Sequence, residues 1–174
     1  LPGGEEQVTG FYLPGEIVGL DAINNRQHAS SAVALETTAV CTIPFGDLEQ
    51  LSMEIPGLQH HLFKLMSQEI QSDQQLMVLL SKRTAEERIA SLLLSLSARH
   101  KRRRLSDANF RLPMSRSDIG NYLGLAVETV SRIFTRFQQM GVLGVVGKEI
   151  TILNRPQLCL LAEPTSELNQ ASGT

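Results

Sequence analysis

Aromatic side chains are scarce in this sequence. It has no tryptophan, two tyrosines and six phenylalanines in 174 residues, so a core must be packed largely from aliphatic groups; the apolar fraction of 42% is ample for one. Cysteine is scarcer still. Cys41 and Cys159 stand far apart, which excludes a disulfide framework and suits the reducing cytoplasm. No apolar run approaches the ~18 residues of a membrane span, and no signal-peptide pattern opens the chain, so no membrane partner is expected. A glycine-rich phosphate loop and Cys/His metal-ligand spacing are both missing. His60-His61 has no nucleophile or acid partner in sequence and is expected at the surface, so an enzyme is the least supported class.

Neither sign of charge dominates. With 16 Lys+Arg and 18 Asp+Glu the formal net charge is −2, which argues against a uniformly basic nucleic-acid binder. The average hides an asymmetry. Residues 99 to 136 hold nine Lys/Arg and three Asp/Glu, a local +6 that leaves −8 for the remainder. Such a block can simply be a solvated face.

The first third has the alternation and glycine punctuation of short antiparallel strands. VTGFYL and EIVGL are two of them, and SAVALETTAVCTI supplies two more around a turn near Glu36-Thr37. A short helix is expected over PFGDLEQLS, and a long one from Pro56, which suits a first helical turn, to about Ser81. Within the long helix Phe63, Met66, Ile70, Asp73, Met77 and Leu80 alternate three- and four-residue spacings, the seam of two helices packing together. Leu62, Leu65, Leu76 and Leu79 form a neighbouring stripe suited to packing on the β-structure. Asp73 is the odd member of the seam. In a parallel symmetric dimer it would face its own copy at a cost of roughly 3 kcal/mol, for ~5 Å and an effective dielectric near 20. Either it leans out to solvent, or the dimer is marginal by construction.

A break near Lys82-Arg83 precedes a second capped helix. Thr84 with Glu87 spells a capping box, and Ile89, Leu92, Leu93 and Leu96 are its buried face. Residues 99–111, RHKRRRLSDANFR, are expected to form an exposed connection. Ser115 and Asp118 then cap a helix through Ile119, Tyr122 and Leu123, Gly124 supplies a tight turn, and a further helix runs from about Val127 to Gln139. Val130, Ile133, Phe134 and Phe137 bury one side of it. Two helices joined through such a glycine turn make a helix-turn-helix, whose second helix enters the major groove of double-stranded DNA.

Glu128, Ser131 and Arg132 lie at i, i+3 and i+4, hence on one face. Arginine can bond guanine O6 and N7 together, a carboxylate can accept from cytosine, and serine adapts. Thr129, Arg136 and Arg116 are better placed for phosphates. The competing account is a solvent-exposed Glu128–Arg132 ion pair worth ~0.3–0.5 kcal/mol. Ala126 stands where a capping hydroxyl is expected. GVLGVVGKEITIL follows as a hairpin turning at Gly147-Lys148, and LCLLA as a last short helix with Cys159 in the core.

IGNYLGLAVETVSRIFTRFQ resembles the helix-turn-helix of the CRP/FNR family of bacterial transcription regulators, in its FNR/ANR branch. GEEQVTGFYLPGEIVGLDAI, ALETTAVCTIPF and LLSKRTAEERIA resemble the same branch, so the likeness covers essentially the whole chain. It implies an α+β fold. Residues 1–55 would be the C-terminal part of a jelly-roll sensor barrel, 56–82 a dimerisation helix, 83–163 a winged helix-turn-helix and 164–174 a disordered tail. The barrel's missing strands imply the C-terminal part of a longer protein.

The resemblance places Glu128, Ser131 and Arg132 on the family's base-reading positions, implying a TTGAT-like half-site in an inverted repeat. Where the CRP branch has a further arginine, this chain has Val127. Where cyclic-nucleotide binders carry an Arg-Ser pair, it has His28-Ala29, which argues against cyclic AMP. Cys41 would otherwise count as a small buried hydrophobe; the resemblance makes it the fourth ligand of an oxygen-labile 4Fe-4S cluster in the intact protein, which this chain alone should not hold. Gly4, Glu5 and Glu6 resemble a surface that touches RNA polymerase, although an acidic turn can equally be plain solvated loop. The implied function is anaerobic gene regulation by a homodimer. The competing readings are a heme- or other ligand-sensing member without a cluster, and a winged-helix dimerisation module that does not read DNA.

Overall fold

The computed structural model describes residues 6–164, which divide into two compact units: one takes the chain up to Gly10 together with everything from Val78 onward, the other is Phe11–Met77. The elements in order are α1 (Phe45–Glu54), α2 (Pro56–Lys82), α3 (Ala85–Arg102), β1 (Asn109–Arg111), α4 (Arg116–Leu123), α5 (Val127–Gln139), β2 (Leu143–Val146), β3 (Glu149–Ile152) and α6 (Arg155–Ala162).

In the Phe11–Met77 unit the helices form where the sequence predicts them, but the strands do not. Among the described residues before Pro44 there is one short 3-10 turn, Leu20–Ala22, and no strand. The segments expected to pair otherwise carry no regular secondary structure, with a bend at Leu35-Glu36, one residue before the expected turn. Alternation alone cannot make a strand, because its backbone N–H and C=O groups need a neighbouring ladder and its apolar face needs a cover. Neither is provided: Val33 and Val40 are each 82% exposed.

The other unit carries the core. Ile89, Leu93 and Leu96 of α3 pack with Ile119 and Leu123 of α4, Val130, Phe134 and Phe137 of α5, Leu143 and Ile150 of the sheet and Leu158 of α6, all nearly inaccessible to solvent. The three strands form an antiparallel sheet in the order β1-β3-β2, with Ile150 opposite both Phe110 and Val145. β2 and β3 are the expected hairpin, turning at Gly147-Lys148.

Residues 99–111 depart from the expected exposed connection. Helix α3 continues to Arg102, with Arg99, His100, Lys101 and Arg102 in its last turn, where cations meet the negative end of the helix dipole. Asn109–Arg111 then adds a third strand to the hairpin. Phe110 is buried, and His100 stacks on it with ring centroids 4.9 Å apart. Cys159 also departs from expectation: it is exposed, and Leu158 is the α6 side chain that enters the core.

The two capping boxes form as spelled. The Glu87 amide donates to Thr84 Oγ1 at 3.3 Å, and the Thr84 amide to Glu87 Oε2 at 3.2 Å. The Asp118 amide donates to Ser115 Oγ at 3.1 Å, and the Ser115 amide to Asp118 Oδ2 at 2.7 Å. Between α4 and α5, Gly124 takes a left-handed conformation, φ 64° and ψ 42°, and the Leu125 amide closes the turn on the Gly120 carbonyl at 2.8 Å.

Gly120 was not singled out by the sequence, yet it sets how closely the turn folds back on α4. A β-carbon there would lie 2.5 Å from the Leu125 carbonyl oxygen, a backbone atom that cannot step aside. Replacing Gly120 with alanine is expected to destabilise this unit by ~1–3 kcal/mol. The drop should appear as a lower urea midpoint at unchanged slope; an unchanged midpoint would refute the close-approach account.

Candidate nucleic-acid interface

Helix α5 is oriented from inside. Its Val130, Ile133, Phe134 and Phe137 are buried, so the residues a turn fraction away must face outward. Glu128, Ser131 and Arg132 are all exposed. Among the described residues no ion pair joins Glu128 to Arg132, so the salt-bridge account of that spacing is not realised. The Ser131 carbonyl accepts from Thr135 Oγ1 at 3.1 Å, and the residue is exposed.

The expected phosphate group is less uniform. Arg116 lays its guanidinium over the ring of Phe134, 3.5 Å from the centroid, and its half-burial lowers its pKa from the ordinary arginine value. Arg136 is held by Glu86 of α3 through a charge-assisted hydrogen bond from Nη1 to Oε1. Thr129 is half-buried. Of the three arginines proposed for DNA, Arg132 is the one without a partner among the described residues.

A second arginine that sequence patterning missed supports the geometry. Arg88 donates from Nη1 to the Leu123 carbonyl at 2.8 Å, from Nη2 to Leu80 at 2.8 Å and from Nε to Arg83 at 3.0 Å. One planar cation thus satisfies the open carbonyls at the ends of α2 and α4. Beside α5, Lys148 at the hairpin tip donates to the Pro113 carbonyl at 2.7 Å and ties the wing down.

Along α2 the proposed seam is not consumed inside the chain. Phe63, Ile70 and Met77 are 61%, 56% and 64% exposed, Asp73 is exposed, and Met66 and Leu80 are half-buried. The neighbouring stripe, Leu62, Leu65, Leu76 and Leu79, is half-buried throughout. Asp73 has acidic company. The Tyr12 hydroxyl donates to Glu69 Oε1 at 2.9 Å. Burial of the phenol, that bond, and the charges of Glu69, Asp73 and Asp21 together push the Tyr12 pKa up to about 12.

The remaining sites are simpler. Gly4 and Glu5 lie outside the described residues. Glu6 is exposed, and its carbonyl accepts from Asn121 Nδ2 at 2.8 Å, while the Val8 amide donates to Asn121 Oδ1 at 2.5 Å. Cys41 is exposed rather than packed as a small hydrophobe. Among the described residues no three His, Cys, Asp or Glu side chains converge as a metal site, and one thiol falls short of the four a cluster needs. The His60-His61 pair is exposed, as expected.

The comparisons with known proteins agree on both parts of this architecture. The model of the Crp-like helix-turn-helix domain matches residues 87–161, and that of the cyclic nucleotide-binding domain matches residues 1–54. The transcriptional activator protein FnrA of Stutzerimonas stutzeri is 59% identical over 160 residues, 92% of this chain and 66% of its own length. The chain belongs to the FNR/ANR branch of the CRP/FNR family.

Other members of the FNR/ANR branch tell the same story. The transcriptional activator protein anr of Pseudomonas aeruginosa is 58% identical over 91% of this chain and 65% of its own length. The anaerobic regulatory protein of Aggregatibacter actinomycetemcomitans is 55% identical over 91% and 62%. This FNR/ANR chain therefore spans about two thirds of the length of the curated relatives it matches. Those relatives are named as regulators, not as enzymes. Among solved structures, FixK2 from Bradyrhizobium japonicum superposes with a TM-score of 0.60 at 35% identity, covering 69% of this chain and 59% of that one. The α+β fold, with a cyclic-nucleotide-binding-type part and a C-terminal helix-turn-helix, is the one the sequence implied. Among the described residues no helix is long and apolar enough to cross a membrane.

The N-terminus of the reading helix retains its anomaly. Ala126 has the extended conformation of an N-cap, φ −64° and ψ 145°, and offers no side-chain acceptor. Ala126→Ser is expected to raise the stability of the unbound chain by ~1 kcal/mol. A denaturation midpoint that does not rise would show that the first-turn amides are already satisfied in another way.

Proposed function

We propose that this chain is the DNA-reading and dimer-forming part of an anaerobic transcription regulator that binds TTGAT-like inverted repeats as a homodimer. The observation that carries the proposal is the outward face of α5, where Glu128, Ser131 and Arg132 stand exposed together and Arg132 has no internal partner. Arg132 reads guanine, Glu128 accepts from cytosine, and Ser131 adapts to either. Thr129 and Arg116 meet phosphates, Arg116 from its seat on Phe134. Two copies paired along Phe63, Met66, Ile70, Asp73, Met77 and Leu80 set two such helices about one DNA turn apart. Support for the pairing is the apolar surface that α2 leaves open.

Control by oxygen is extended to this chain from the name of the anaerobic relative. Cys41, as an exposed thiol, is available as one ligand to a 4Fe-4S cluster whose other ligands are not among the described residues. Cyclic AMP is a poor fit for a reason of charge. The Asp21 carboxylate accepts from the Ala29 amide at 2.8 Å and lies 3.2 Å from His28 Nδ1. That amide and, secondarily, His28 hold the Asp21 pKa below its ordinary value. An anion already occupies the donors that a phosphate would take. The segment Gly4, Glu5 and Glu6 is proposed as the contact to RNA polymerase.

Two experiments test the reading. Arg132→Ala should weaken binding to the inverted repeat by ~1–3 kcal/mol and erase discrimination at the guanine position alone, as measured by fluorescence anisotropy against single-base variants of the duplex. Unchanged affinity would favour a dimerisation module that does not read DNA. Asp73→Ala should strengthen self-association in sedimentation equilibrium by up to ~3 kcal/mol; equal association at matched concentration would remove Asp73 from the seam.

A further inference from the structure

A shallow concavity of about 490 Å3 lies beside the reading helix, walled by Thr84 and Glu86 of the α3 start and by Thr129, Arg132 and Arg136 of α5. A carboxylate is out of place on that rim. A duplex seated on Glu128, Ser131 and Arg132 runs its phosphodiesters past it, and a free carboxylate would repel them. Glu86 is not free, because its Oε1 accepts from Arg136 Nη1. The two side chains are 30% and 59% exposed, so water screens the pair and keeps it weak enough to exchange.

We propose that Glu86 is a positioning residue that holds Arg136 against α3 and withholds that cation from the DNA backbone. The proposal rests on the DNA-binding reading above and adds to it a brake on sequence-independent affinity. Phosphate contacts strengthen binding to every duplex alike, whereas discrimination comes from base edges. Since random sites vastly outnumber operators, a regulator with modest base readout gains from keeping one cation paired internally. Arg116 is restrained differently, by stacking on Phe134, and is not subject to the same exchange. In sequence, a carboxylate three residues before the start of the core stripe in α3 reads only as the helix-start chemistry of TAEERIA.

The test is a double-substitution cycle on the full chain, read by fluorescence anisotropy with an inverted-repeat duplex and a random-sequence duplex over a salt series. Glu86→Gln should tighten binding to both duplexes. It should also steepen the dependence of log affinity on log salt by ~0.9, so that about 3.5-fold of the gain is lost between about 50 and 200 mM salt. Arg136→Gln should leave the parent's random-duplex affinity unchanged within about twofold and should abolish the gain when combined with Glu86→Gln. A slope unaltered by Glu86→Gln overturns the proposal, as does a gain that survives in the double variant, which would mean simple repulsion by Glu86. If the parent prefers the inverted repeat and the slope stays put, the brake alone is refuted. If the parent binds neither duplex, the DNA-binding reading falls and the brake with it.

Discussion

The close approach of α4 to the start of α5 governs what this chain can present to a partner. With no side chain at Gly120, the Leu125 carbonyl can sit 2.5 Å from where a β-carbon would be. Gly124 bends the chain back through a left-handed conformation that costs other residues ~1–2 kcal/mol. Phe134 and Phe137 then enter the core almost completely, and burial at those positions fixes the rotation of α5 about its own axis. Its outward face follows without further instruction. Arg88 extends the constraint, because the guanidinium that closes the Leu123 carbonyl also closes those of Leu80 and Arg83. The end of α2, the entry to α3 and the reading turn thus share one cation.

Much of this was legible in the sequence because it is local. The Thr84–Glu87 and Ser115–Asp118 boxes, the glycine turn, the apolar period of α5 and the hairpin at Gly147-Lys148 are all written within a few residues of where they act. The failures are non-local. β1 was hidden because the charge of RHKRRR masks a single buried aromatic, Phe110, and because its ladder partner lies some forty residues on. The expected strands before Pro44 have the right alternation but no ladder among the described residues. Residue type predicts Cys159 in the core, whereas α6 buries one position earlier, at Leu158. Gly120 and Arg88 show their purpose only when the Leu125 and Leu123 carbonyls are brought to them.

At the candidate interface the face was legible and the electrostatics were not. Spacing alone placed Glu128, Ser131 and Arg132 together. It could not tell which cations would be available, since Arg116 finds Phe134 across 18 positions and Arg136 finds Glu86 across 50. The local surplus of +6 is spent in part on such internal partners. Lys101 and Arg155 flank Asp107, and Arg111 meets Glu149 at 3.2 Å. A basic stretch in sequence is therefore a poor measure of the field that a duplex would meet.

Restraint of the cations bears on why two copies would be needed. One unpartnered arginine per reading helix offers discrimination of ~1–3 kcal/mol per bidentate base contact, too little against the excess of competing sites. Two helices held at one-turn spacing add their contacts, so selectivity on the proposed reading depends on the α2 seam. On that reading the seam carries opposing contributions. Each large apolar side chain withdrawn from water contributes ~1.5–3 kcal/mol at full burial; Phe63, Ile70 and Met77 are already about two-fifths shielded and would contribute less. Opposed Asp73 carboxylates subtract up to ~3 kcal/mol. On the proposed reading that repulsion leaves the pairing weaker than a seam with leucine at the same position would make it.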